Sequence, residues 1–187
     1  MRRVLAVCVL VCAGAGVVTF AQSRAASTPA SPIKNPLTIR GKYLSLVVGA
    51  SATTVSPGAR VSLLVQVTPH PKMHVYAPGQ AGYIPVDLSV VDNPAFTAKA
   101  PVYPAPTPFT FAPTAEAVKV YAEPFVIRAD LVVASSSVVK NRAAKSDVLT
   151  VVGAFEYQAC DDAVCYRPET LPVEWKIKLV PAAGKHP

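Results

Sequence analysis

The chain has 187 residues, 51% apolar and 16% charged, enough apolar material for a core in one β-type domain or two small ones, which excludes wholesale disorder. Its 19 prolines and 9 glycines exclude a helical bundle, because proline inside a helix costs about 3 kcal/mol. The formal charge is +7, but the basic residues are scattered singly and do not interleave with aromatics, so a nucleic-acid footprint is excluded too.

Residues 1–23 read as a secretory signal peptide. Arg2 and Arg3 form its positive start, residues 4–20 are uncharged and apolar, and Thr19-Phe20-Ala21 or Ala21-Gln22-Ser23 supplies a cleavage site. The apolar run is at the lower limit for spanning a bilayer. Val11 ahead of Cys12 does not suit a lipoprotein signal, which wants a small residue there. After cleavage no stable membrane insertion is expected.

Residues 24–36 are rich in Ala, Ser and Pro and read as a flexible linker. From residue 37 to 181 the pattern is β, and 182–187 form a tail. Strands are predicted at 42–48, then after the Ser56-Pro57-Gly58 turn at 59–68, where Val61, Leu63, Val65 and Val67 share a face. Further strands fall at 84–91, 118–121 and 125–134, the last with Phe125, Ile127, Ala129, Leu131 and Val133 on one face. Residues 101–113 hold five prolines with Tyr103, Phe109 and Phe111 between them, the composition of a stiff extended loop rather than a strand. Residues 134–146 read as a surface loop. A long strand follows at 148–157, with Gly153 marking a bulge, and the last carries Val173, Trp175, Ile177 and Leu179 on one face. Seven or eight strands without a helix make an all-β, two-sheet antiparallel sandwich.

Export places the mature chain where disulfides persist. With Cys8 and Cys12 in the leader, two cysteines remain, Cys160 and Cys165, an even count that suggests a pair. Strands run in before Cys160 and out after Thr170, so the pair brackets a hairpin-like loop, and Asp161 and Asp162 suit its turn. A six-residue closure is worth only about 2 kcal/mol by loop entropy. That is little for a staple, and a surface bond in a tight loop is open to a thiolate; yet most disulfides of exported proteins are structural. Spacing leaves both readings open. Asp161 and Asp162 disfavour a nearby thiolate, while Arg167 opposes them.

Other chemistries find less support. His70 and His74 with the two cysteines make a copper or zinc set on paper, but no His or Met follows Cys165 until His186, against the closing-loop pattern of blue-copper sites. No metal or other cofactor is assigned. There is no Gly-x-Ser-x-Gly motif for a hydrolase and no Cys-x-x-Cys of thioredoxin type.

The stretch Tyr157-Gln158-Ala159-Cys160, then Cys165-Tyr166-Arg167-Pro168-Glu169-Thr170, resembles the N-terminal periplasmic domain of the thiol:disulfide interchange protein DsbD. The Pro-x-x-His-Val-Tyr pattern of residues 71–76, Tyr103-Pro104 and Val120-Tyr121 agree with it. The resemblance implies an immunoglobulin-like sandwich in the periplasm whose Cys160–Cys165 pair exchanges electrons between a membrane electron donor and exported thioredoxin-fold proteins, a thiol–disulfide oxidoreductase without a cofactor. Tyr157, Asp161, Asp162, Tyr166 and Arg167 then flank the exchanging sulfurs as modulators, and Phe109 or Phe111 serves as a cap over them. Arg167 stands where a second proline is common in that family. The alternative is a non-catalytic binding or assembly module with a structural disulfide, since fold does not fix function.

Overall fold

The computed structural model describes residues 32–111 and 115–183, without the side chain of Phe111. The signal peptide expected over 1–23, most of the linker and most of the tail lie outside the described residues. In chain order the elements are β1 (Lys34–Arg40), β2 (Leu44–Ala50), β3 (Thr54–Val55), β4 (Arg60–Pro69), β5 (His74–Tyr76), β6 (Asp87–Val90) and β7 (Phe96–Ala98). They continue as β8 (Thr107–Phe111), β9 (Glu116–Tyr121), β10 (Phe125–Val133), α1 (Ser137–Ala144), β11 (Val148–Tyr157), β12 (Ala159–Cys160) and β13 (Glu169–Leu179).

Two sheets form the sandwich. One runs β1-β2-β4-β10-β7 and the other β3-β13-β11-β6. The described strand-to-strand pairings are antiparallel except β3 on β13. The alternation seen in the sequence sets which face turns inward. Val61, Leu63, Val65 and Val67 of β4 meet Ile127, Ala129 and Leu131 of β10 from the same side, each at 4% exposure or less. From the opposite sheet come Leu149, Val151 and Phe155 of β11 with Val173, Trp175, Ile177 and Leu179 of β13. Trp175 is the largest of these buried side chains, and its indole N–H donates to the Leu64 carbonyl at 3.4 Å. Burial of such side chains is worth about 1.5–3 kcal/mol each, so the apolar alternation stabilises this architecture directly. On the outer face of β4 and β10, Ser62 donates to Asp130 at 2.8 Å across a register pair.

A third, smaller sheet, β12-β5-β9-β8, sits at one end. It is reached from the sandwich directly: β4 leads into β5 through residues 70–73, and β11 leads into β12 through Gln158. The disulfide therefore hangs on the sandwich by two of its longest strands.

Several expectations are corrected. Thirteen strands are present among the described residues, against seven or eight; the surplus is largely short segments, β3, β5, β7 and β12, too brief to alternate visibly. Residues 134–146 contain the helix α1 rather than a loop. Ser136 caps it by accepting from the Val139 N–H at 3.4 Å, and Val139 and Ala143, one turn apart, are its buried contacts. Within residues 101–113, Thr107–Phe111 is a strand and not a loop, paired with β9 over its whole length. β8 is an edge strand, where prolines that cannot donate are tolerated. β1 begins at Lys34, inside the stretch read as linker, with a register break before Leu37 that accommodates Pro36. Gly153 marks no bulge. β11 stays in register through it with β6 and β13, and a Cβ there would run into the Ser89 carbonyl.

Candidate functional site

β12 consists of Ala159 and Cys160, paired with β5 so that Cys160 faces His74 in register. Cys165 returns opposite Cys160 as an isolated antiparallel bridge, and the two form a disulfide with Cα atoms 4.0 Å apart. The two sulfurs differ in surroundings. Cys160 is 1% exposed and belongs to a small apolar cluster with Tyr76, Val118 and Val120. Cys165 is exposed, and Val164 beside it is 50% exposed.

The loop between them is closed by its first residue. The Asp161 N–H donates to the Val164 carbonyl at 3.0 Å. One carboxylate oxygen of Asp161 accepts the Ala163 and Val164 N–H groups, both at 2.8 Å, and the other accepts the Tyr166 hydroxyl at 2.7 Å. The Val164 and Ala163 amides, then the Tyr166 hydroxyl, hold the Asp161 carboxyl below its usual range. The same carboxylate pushes the Tyr166 hydroxyl up. Tyr166 also stacks on Tyr43 with ring centroids 4.3 Å apart, and its N–H donates to the Ala159 carbonyl at 2.9 Å. Gln158 donates to the Tyr166 carbonyl at 3.0 Å.

The base of the loop is fixed below this. Tyr157 is fully buried and donates to Glu169, which also accepts the Lys42 N–H at 3.1 Å. Burial, and then Glu169, raise the Tyr157 hydroxyl far above its ordinary range. Asp162 and Arg167 are exposed and enter no ion pair among the described residues.

Tyr76 reaches both sulfurs. Its oxygen is 3.5 Å from both Cys160 Sγ and Cys165 Sγ, and a disulfide sulfur has no proton, so Tyr76 is the donor. Its ring stacks on Tyr83 at 4.1 Å, and Tyr83 donates to Glu116 at 2.6 Å. That bond to Glu116 pushes the Tyr83 hydroxyl up to about 12; burial, then the Glu116 charge, raise Tyr76. A carboxylate is thus linked through two phenols to the disulfide. His74 is 3% exposed, edge-on to Tyr76 and 4.5 Å by centroid from Phe109. Burial lowers its pKa against the pull of Asp162 and Asp161.

Phe109 of β8 packs, partly buried, against the cluster that contains Cys160. Phe111 ends the same strand, and its side chain lies outside the described residues. The structure therefore brings Cys160, Cys165, Asp161, Tyr166 and Phe109 together and leaves Asp162 and Arg167 on the rim. His70 precedes β5 and does not join His74; among the described residues no group of three or more His, Cys, Asp or Glu is arranged to hold a metal. Sequence reasoning did not single out Tyr83 and Glu116. They sit in a Gly- and Pro-rich turn and at the start of a short strand, where no periodicity marks them. Tyr76 stood in the His-Val-Tyr pattern, but its placement over the sulfurs follows only from β5 pairing with β12.

These features define an immunoglobulin-like sandwich with a disulfide at the tip of a hairpin. Residues 45–175 match the model of the thiol:disulfide interchange protein DsbD N-terminal family, and the chain belongs to that family. Among solved structures it is similar to the N-terminal periplasmic domain of ScsB from Proteus mirabilis, with a TM-score of 0.50 and 15% identity over 79% of this chain and 51% of that one. The chain thus spans about half of that structure's length. No curated protein matches it.

Proposed function

We propose that this chain is an exported, periplasmic thiol–disulfide interchange protein that passes electrons between a membrane electron donor and thioredoxin-fold proteins through Cys160 and Cys165. The observation that carries the reading is the unequal exposure of the two sulfurs under a shared phenol donor: Cys165 is exposed, Cys160 is buried, and Tyr76 is 3.5 Å from both. A structural bond gains nothing from one open sulfur, whereas exchange requires it.

In the step that reduces this chain, a partner thiolate attacks Cys165 Sγ in line with the disulfide. The new S–S bond joins Cys165 to the partner, the old one breaks, and its electron pair stays on Cys160 Sγ. Tyr76 donates to that leaving thiolate, a charge-assisted bond stronger than the one to a neutral sulfur. The partner's second thiolate then attacks its own sulfur of the mixed disulfide. The partner leaves as a disulfide, Cys165 leaves as a thiolate, and two electrons have entered the pair. The reverse sequence delivers them onward. Phe109 caps the sulfurs between encounters, supported by its packing on the Cys160 cluster. Asp162 and Arg167, exposed beside the loop, set its local charge.

Single-cysteine variants test the assignment. Cys160→Ser leaves the accessible Cys165 to form a stable mixed disulfide with a thioredoxin-fold protein whose resolving cysteine has been replaced. Cys165→Ser leaves only a buried sulfur and traps little. If neither variant forms an adduct, exchange is abandoned and the binding-module reading with a structural disulfide stands.

A further inference from the structure

The disulfide is not the only closure of its loop. Cys160 is held on its own account, by β12 pairing with β5 and by burial. Cys165 lies in the exposed return, held opposite Cys160 by a single backbone bridge, and the next residue is held from four directions. The Tyr166 hydroxyl donates to Asp161 at 2.7 Å, its N–H donates to Ala159 at 2.9 Å, its carbonyl accepts from Gln158 at 3.0 Å, and its ring stacks on Tyr43 at 4.3 Å. Asp161 in turn grips the loop through the Ala163 and Val164 amides. None of these contacts uses a sulfur atom. Asp161 and Tyr166 are each the residue after a cysteine, so their bond spans the loop parallel to the disulfide, one step along the chain.

We propose that the Asp161–Tyr166 pair is a non-covalent clasp that keeps Cys160 and Cys165 side by side when the disulfide is open, and so sets the potential of the pair. The inference rests on the exchange reading for its biological meaning, but its physics is independent of any partner. Two thiols held together have a high effective concentration, which favours the disulfide and drives reclosure of a mixed disulfide. By linkage, a contact that the disulfide strengthens must strengthen the disulfide by the same factor. Tyr43 supports the clasp as a positioning residue, because its stack fixes the plane of the Tyr166 ring. Tyr43 comes from the turn between β1 and β2, which places that turn within the redox site.

The test compares the wild-type chain with Tyr166→Phe and Asp161→Asn in dithiothreitol redox buffers, counting alkylated thiols by mass. Tyr166→Phe keeps the ring on Tyr43 and removes only the hydroxyl. Loss of one hydrogen bond to a charged group is expected to lower the effective concentration of the thiols about tenfold, which moves the midpoint about 30 mV toward less negative potential. Midpoints within about 10 mV of wild type in both variants, less than about a twofold change in effective concentration, overturn the proposal. A measurement on the unaltered chain decides it even if the variants fold poorly. In the reduced protein the Ala163 and Val164 amides should keep their hydrogen-exchange protection, and loss of that protection on reduction also overturns it. Failure of the exchange reading would appear instead as the absence of any mixed disulfide with a thioredoxin-fold protein, whatever these midpoints are.

Discussion

Tyr76 is the side chain on which the proposed chemistry of the site most depends. Its oxygen reaches both sulfurs, and stacking on Tyr83 fixes its ring. A phenol in this position stabilises whichever sulfur carries the negative charge, and it does so in an environment from which the apolar cluster of Val118 and Val120 partly excludes water. Tyr76→Phe removes the donor and preserves the stack. A hydrogen bond to a charged group is worth about 1.5–3 kcal/mol, so reduction by dithiothreitol should slow by about tenfold or more, with little change in thermal stability. Stopped-flow measurement of thiol release checks this, and an unchanged rate would remove Tyr76 from the mechanism. Nothing in the sequence alone could have supplied this role. Tyr76 and the cysteines are more than eighty positions apart in the chain, and a two-residue strand brings them together.

At the level of elements, what could be read from the sequence was what alternates over enough residues. β4, β10, β11 and β13 each run nine residues or more, and their inward faces are those the period of two predicts. Shorter elements escaped because local composition spoke for something else. Proline concealed β8, and the small and polar residues around Val139 and Ala143 concealed α1. The functional consequence lies in β8. Among the described residues it is an edge strand paired only with β9, and it carries Phe109 onto the Cys160 cluster and against His74. An edge strand opens more cheaply than a central one, since it has hydrogen bonds to break on one side only. Replacing Phe109 by Ala removes an aromatic contact worth about 0.5–1.5 kcal/mol, so the disulfide should react with a small thiol about 2- to 13-fold faster. If the rate of reduction by dithiothreitol is unaffected, Phe109 does not cap the site.

The whole molecule has two poles. Tyr157 and Glu169, paired at one end of β11 and β13, carry the disulfide loop, while Val148 and Lys178 mark the other end. Lys34 pairs with Ala50, and Leu179 bonds to Asp147, so the described chain both enters and leaves at the pole away from the disulfide. His74 is a buried imidazole at the pole that carries the disulfide. Burial lowers the His74 pKa, with Asp162 and Asp161 opposing. The unfolded chain takes up a proton on this imidazole near pH 6.5, where the folded chain resists it. The unfolded state then binds more protons, and stability falls as the pH drops below about 6.5 toward the lowered folded pKa. Above pH 6.5 both states are neutral at this site and the contribution is fully present. A second loss follows at lower pH, below about 3.9, as Asp161 and Asp147, both held below the usual carboxyl range by hydrogen bonds, are protonated. The first loss should vanish in His74→Phe, which keeps an aromatic ring against Phe109 and Tyr76, and the second should remain. Urea unfolding midpoints of both proteins at pH 8, 6, 5 and 3 distinguish these outcomes. A wild-type midpoint that is flat from pH 8 to 5 would mean that His74 accepts its proton in place, and the buried neutral imidazole would have to be abandoned.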